Sequence, residues 1–158
     1  MLIGLGISAA CAVGALIAAA GVLAMAFPGR PEPWPPLLLG RAAAMAAWGA
    51  VSVYSLGFFA VWDSEQAFGD GTASVPAPAC LDGFDPATTQ GLSHHRSSYL
   101  PLRFDCVRDD GTVYSSDSSY VWMNWATACL ALSAALLAIA AGYATELRAR
   151  KAGAIPVS

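Results

Sequence analysis

Apolar and polar positions in this chain are sorted into long blocks, with period-two alternation confined to one short stretch. From Leu2 to Phe27 there is no charged side chain. About 20 apolar residues in a helix cross a hydrocarbon core of ~30 Å, so this block predicts a membrane-crossing helix. A second block, residues 41–62, has no ionisable side chain between Ala42 and Val61 except the phenol of Tyr54, and gives way to Trp62, Asp63 and Glu65. A third, residues 120–145, opens on Tyr120, Trp122 and Trp125 and is followed by Glu146, Arg148, Arg150 and Lys151. Aromatic clusters of this kind favour the membrane–water interface.

The pattern predicts an all-α membrane protein. Transmembrane helices span residues 1–27, 41–62 and 120–145, and a short tail covers 146–158. A cleavable signal peptide is the rival for the first block, but it needs a positive leading region and a shorter apolar stretch, and no Lys or Arg precedes Arg30. Between the first two blocks lies a connector, residues 28–40, with Pro28, Pro31, Pro33, Pro35 and Pro36. Proline lacks the N–H that a helix interior requires, so this segment is expected to run extended as a stiff turn. Recognition by a proline-binding domain is the alternative.

Residues 63–119 are too long and varied for a plain linker and predict a small loop domain. Within it, Leu100, Leu102, Phe104 and Cys106 share one face, and Pro101, Arg103, Asp105 and Val107 the other. That period of two marks a strand. Asp109, Asp110, Gly111 and Thr112 supply a turn, and Val113 and Tyr114 start a return strand, so Tyr99–Ser116 reads as a β-hairpin. Residues 69–95, rich in Gly, Pro, Ser, Thr and Asp, read as irregular, and residues 115–119 as a flexible lead into the third span.

Cys80 and Cys106 both fall in this loop, whereas Cys11 and Cys129 fall inside spans. An extracytoplasmic loop permits a disulfide. A bridge from Cys80 to Cys106 would stabilise so small a unit by about 3 kcal/mol through loop closure. Free thiols or metal ligands are the alternative, without a CxxC or a matching histidine spacing to favour them. The stretch holding Pro101, Leu102, Cys106, Asp110 and Gly111 resembles the outer loops of small multi-span membrane proteins of high-GC bacteria, many of them uncharacterised. The resemblance implies an outside location for the loop and no activity.

Composition agrees with lipid as the solvent. Of 158 residues 56% are hydrophobic and only 12% charged, against about 25% charged in soluble domains. Net charge is −3 and no basic patch is dense enough for nucleic acid. Lys and Arg flanking the spans set orientation. Arg30 and Arg41 at the connector, and Arg148, Arg150 and Lys151 in the tail, belong to the cytoplasmic side. The expected topology is multi-pass in the plasma (inner) membrane, with the N-terminus and the loop outside and the C-terminus cytoplasmic.

Chemistry-bearing motifs are sparse. The span interiors carry no Asp, Glu, Lys, Arg or His, which weighs against a proton-coupled transporter acting alone. Ser52, Ser55, Asn124, Thr127 and Ser133 can bond between helices, and Asn124 could instead line a polar path. Small residues recur every four positions at Gly6, Ala10, Gly14 and Ala18, a row that would let another helix approach closely. His94 and His95 are adjacent on what reads as a loop, and Asp82 and Asp85 lack the pattern of a calcium loop. No P-loop, GxGxxG unit or nucleophile elbow occurs.

No catalytic residue, metal site or cofactor is expected, and the chain is not expected to be an enzyme. The expected role is a non-catalytic accessory or structural subunit of a bacterial membrane assembly. Its expected partners are the lipid bilayer and either a membrane protein or further copies of itself. An extracytoplasmic ligand-binding or sensing module anchored by three spans, and a self-assembling pore, are the alternatives.

Overall fold

A computed structural model describes residues 2–25, 27, 29, 34–69 and 77–153. Pro28, Arg30, Pro31 and Pro33 of the connector, Asp70 in the acidic loop, and the end of the tail lie outside the described residues. The elements, in order, are helix α1 (Leu2–Ala24), helix α2 (Trp34–Gly69), a 3₁₀ turn (Pro78–Cys80), short helix α3 (Pro86–Thr89), strands β1 (Leu92–Tyr99), β2 (Leu102–Arg108) and β3 (Val113–Ser115), and helix α4 (Ser119–Gly153). Helices α1, α2 and α4 are each long and apolar enough to cross a membrane.

Helix α2 is longer than its apolar block at both ends. It starts at Trp34, inside the connector expected to be extended. Pro35 and Pro36 occupy its first turn, where backbone N–H groups have no intrahelical acceptor and a missing donor costs nothing. At the other end it runs past Trp62 to Gly69 and so carries Glu65 on a helix.

The chain divides into two compact units, Met1–Gly6 with Val53–Ala126, and Ile7–Ser52 with Thr127–Ser158. The first unit contains the sheet. Its order is β1-β2-β3, antiparallel throughout. The expected hairpin is therefore two strands of a three-stranded meander. The expectation of irregular chain over 69–95 is corrected at its end, because β1 begins at Leu92 and pairs along β2 from Leu92↔Arg108 to Tyr99↔Leu102. The sequence of β1, LSHHRSSY, has no apolar alternation to announce it.

The core of this unit forms on the face of β2 marked by period two. Leu102, Phe104 and Cys106 are fully buried, together with Val61 of α2 and Cys80 of the 3₁₀ turn, and Tyr120 of α4 is buried beside them. Leu102 fits because α2 carries glycine opposite it: a Cβ at Gly57 would lie 2.5 Å from Leu102 Cδ1 and 3.2 Å from Met123 Sδ. Cys80 and Cys106 are joined by a disulfide, with Cα atoms 5.8 Å apart and 26 residues of separation. The β2–β3 turn follows its sequence: Gly111 has φ +82°, and Asp110 Oδ1 accepts from Thr112 N–H at 2.9 Å and from the Thr112 hydroxyl at 2.6 Å. The segment before α4 is tied down where a flexible lead was expected, since Asp117 Oδ1 accepts from Ser119 N–H at 2.7 Å at the helix start.

In the second unit, α1 meets α2 through small side chains. The Ser52 hydroxyl donates to Ser8 C=O at 3.2 Å, and a Cβ at Gly14 would touch the Trp48 indole at 3.0 Å. Arg41 Nη1 donates to Gly21 C=O at 2.8 Å. That carbonyl belongs to the last turn of α1, where acceptors lack an intrahelical partner and the helix dipole favours a cation. Cys11, Ala43, Ala46 and Ala50 are buried. The α4 portion differs: Leu132, Leu136, Ile139 and Tyr143 are all exposed, and none of the span window of α4 is buried within the chain.

Candidate functional site

The first unit is built around a sheet whose two outer limits are fixed by side chains from different helices. Strand β3 pairs with β2 at Asp105, Cys106 and Val107, so among the described residues the start of β2 lacks a neighbouring strand on that side. Asn124 of α4 takes its place. Its carboxamide oxygen accepts from Leu102 N–H at 2.9 Å and its amide donates to Leu102 C=O at 2.9 Å. A primary amide offers a donor and an acceptor side by side, which is what an unpaired strand residue presents. This use of Asn124 differs from both roles read from sequence, and a hint was available: Asn124 lies one helical turn after Tyr120, on a face that packs inward.

On the opposite side, α2 holds β1. The Tyr54 hydroxyl donates to Tyr99 C=O at 2.9 Å, and the Glu65 carboxylate accepts from the hydroxyls of Ser97 and Tyr99. Burial, and next the bond to Glu65, push the Tyr99 phenol up to about 12. Glu65 lies four residues after buried Val61 and seven after Phe58, on one helical face, and that spacing could have revealed it. A polar inner edge on β1 meeting a carboxylate on α2 explains why the strand carries no apolar signature.

Tyr114 fastens the disulfide segment to the sheet by donating from its hydroxyl to Cys80 C=O at 2.7 Å, and its ring meets Phe84 edge-on. Burial raises its phenol above the ordinary value. The bonds from Thr112 hold the Asp110 carboxyl below the usual carboxylate range.

His94 and His95 lie on β1 and not on a loop. The His95 ring stacks on Phe104 with centroids 5.1 Å apart, while His94 Nδ1 is 3.4 Å from Ser93 Oγ. Neighbouring strand residues face opposite ways, so the two rings do not converge on one ion. Among the described residues no group of three or more His, Cys, Asp or Glu is placed to hold a metal.

The proposed packing row is dispersed among environments. Gly6 and Ala10 are exposed, Gly14 lies against Trp48, and Ala18 is half-buried.

The feature with the most chemical content is a cleft of ≈ 360 Å³ between the start of β2 and the start of α4, lined by Pro101, Arg103, Asp105, Val121, Asn124 and Trp125 among others. Its charged lining residues are Arg103 and Asp105, and Arg96 reaches Asp105 from outside the lining. Asp105, with its side chain 8% exposed, has Oδ2 3.7 Å from Arg103 Nε and 3.9 Å from Arg96 Nη2. Two exposed guanidinium groups thus share one nearly buried carboxylate, and only one of them, Arg103, lines the cleft. The floor is apolar: Trp125 is 70% exposed and Val121 63%. Such an arrangement can hold a molecule that is anionic at one end and greasy at the other. Compared with protein-family models, curated proteins and solved structures, the chain gives no match.

Proposed function

We propose that this chain is a non-catalytic accessory or structural subunit of a bacterial membrane assembly. It crosses the plasma (inner) membrane three times, with the N-terminus and sheet unit outside and the C-terminus in the cytoplasm. The observation that carries the reading is the state of α4, an apolar helix with no fully buried residue in its span window. Lipid and a neighbouring subunit are the surroundings that suit such a helix. Arg148, Arg150 and Lys151 at its end support a cytoplasmic C-terminus. The disulfide supports an oxidising compartment for the sheet unit.

The test is native purification of the tagged chain in mild detergent, with cross-linking in intact membranes beforehand. A reproducible second protein or a defined homo-oligomer, reduced by Leu136→Asp on the exposed face of α4, is expected. A chain that migrates alone from cross-linked membranes would overturn the subunit reading. A second reading, an extracytoplasmic binding module, is favoured by the charged cleft beside β2.

A further inference from the structure

We infer that the cleft between the β1–β2 turn and the first turns of α4 holds the headgroup and upper acyl region of one outer-leaflet phospholipid, with the phosphate on Arg103. The inference rests on the membrane-spanning reading above and deepens its binding-module form.

Depth is the first support. Glu146 ends the uncharged run of α4. At 1.5 Å per residue, a ~30 Å core takes about 20 residues back from it, which brings the outer boundary to Trp125 and Ala126. Trp125 and Val121 then lie at headgroup depth, where an indole is favoured. The β1–β2 turn reaches the same cleft through Pro101, and its neighbour Leu100 is 85% exposed. An exposed leucine at this turn and an exposed tryptophan in the cleft suit acyl chains better than water.

Charge is the second support. The Arg103 side chain is 58% exposed and shares Asp105 with Arg96. Arg96, outside the cleft lining, offsets Asp105, so a phosphate approaching Arg103 meets net attraction and also displaces water from the fork of its guanidinium. Asp105 stays neutralised by Arg96 as Arg103 turns to the phosphate. Apolar floor below and cation above match the order of chain and phosphate in a lipid. A soluble phosphate would use only the upper half.

The test uses the full chain in detergent, stripped of lipid and titrated with phosphatidylglycerol by native mass spectrometry. Diacylglycerol, glycerol phosphate and inorganic phosphate serve as separate probes. One phosphatidylglycerol is expected to survive on the wild type. Arg103→Gln is expected to weaken its retention by about tenfold. Trp125→Ala, a change at an exposed side chain, is expected to weaken it without touching the charges, and Arg148→Gln at the far end of α4 to leave it unchanged. An unchanged thermal transition in detergent reports that each variant is folded. Equal retention by wild type, Arg103→Gln and Trp125→Ala overturns the lipid site, as does equal binding of diacylglycerol. Competition by inorganic phosphate or glycerol phosphate at the lipid's own concentration overturns the lipid as occupant. Recovery of the chain from the detergent-free soluble fraction overturns the membrane reading itself, a result distinct from all of these.

Discussion

Asn124 completes the sheet by bonding both backbone groups of Leu102, each at 2.9 Å. The Leu102 side chain is fully buried, so the amide anchors the start of β2 beside the core. Asn124→Ala leaves a donor and an acceptor unpaired, at about 1–3 kcal/mol each for complete burial. The expected loss is about 2 kcal/mol or more, visible as a lower Tm in detergent. Asn124→Asp keeps the acceptor but turns the donor into a second oxygen facing Leu102 C=O, and is expected to be no better than alanine. A variant as stable as the wild type would show that the sheet is held elsewhere.

The Cys80–Cys106 bridge closes a loop of 26 residues onto the buried face of β2. In the chain-entropy account such a loop contributes about 3–4 kcal/mol. Cys80→Ser with Cys106→Ser is expected to lower stability by that order, measured as the shift of the thermal transition. Thiol labelling of the intact protein should modify Cys80 and Cys106 only after reductant.

These two sites differ in how much of them the sequence disclosed. The bridge was legible because only Cys80 and Cys106 lie outside the apolar blocks, and β2 because Leu102, Phe104 and Cys106 alternate with polar neighbours. The three helices were legible for the same reason in another form: long uncharged runs have few alternatives. Strand β1 was not, because its inner edge is solvated by a carboxylate. Ser97 and Tyr99 satisfy Glu65, a long-range pairing that local periodicity does not encode. Asn124 was hidden likewise, since its partner lies 22 residues away on a strand edge. The start of α2 was not legible, because Pro35 and Pro36 break a helix interior yet are compatible with a helix in its first turn. The cleft was invisible from local pattern, for it needs the packing that brings Arg103 and Asp105 of β2 to Val121 and Trp125 of α4.

Tyr99 provides a dependence on pH with a definite sign. Its phenol, ordinarily at 10.0, is raised to about 12 by burial and by Glu65. The folded state therefore holds this proton more tightly than the unfolded chain. Its contribution to stability is fully present below pH 10 and is lost as pH rises from 10 through 12. In a spectroscopic titration Tyr99→Phe is expected to remove the phenol that ionises near 12. The stability gap between wild type and Tyr99→Phe should narrow across the same window. A gap that stays constant from pH 9 to pH 12 would sink the assignment.

Gly57 and Leu102 offer a sharper test of the core than either alone. In an open helix, replacing glycine by alanine gains up to about 1 kcal/mol. Here the added Cβ would sit 2.5 Å from Leu102 Cδ1, and Leu102 is fully buried. Overpacking of this kind costs about 1–3 kcal/mol, so Gly57→Ala is expected to destabilise on balance. Leu102→Ala alone should cost about 2–5 kcal/mol by leaving a cavity. In that background the clash is gone, and Gly57→Ala should become neutral or stabilising as the helix gains and the void partly fills. The double-mutant cycle is expected to give a coupling of about 1–3 kcal/mol, read from denaturation of all four proteins in one detergent. Strict additivity would mean that α2 and β2 do not pack through this pair, and the placement of the sheet on α2 would fail with it.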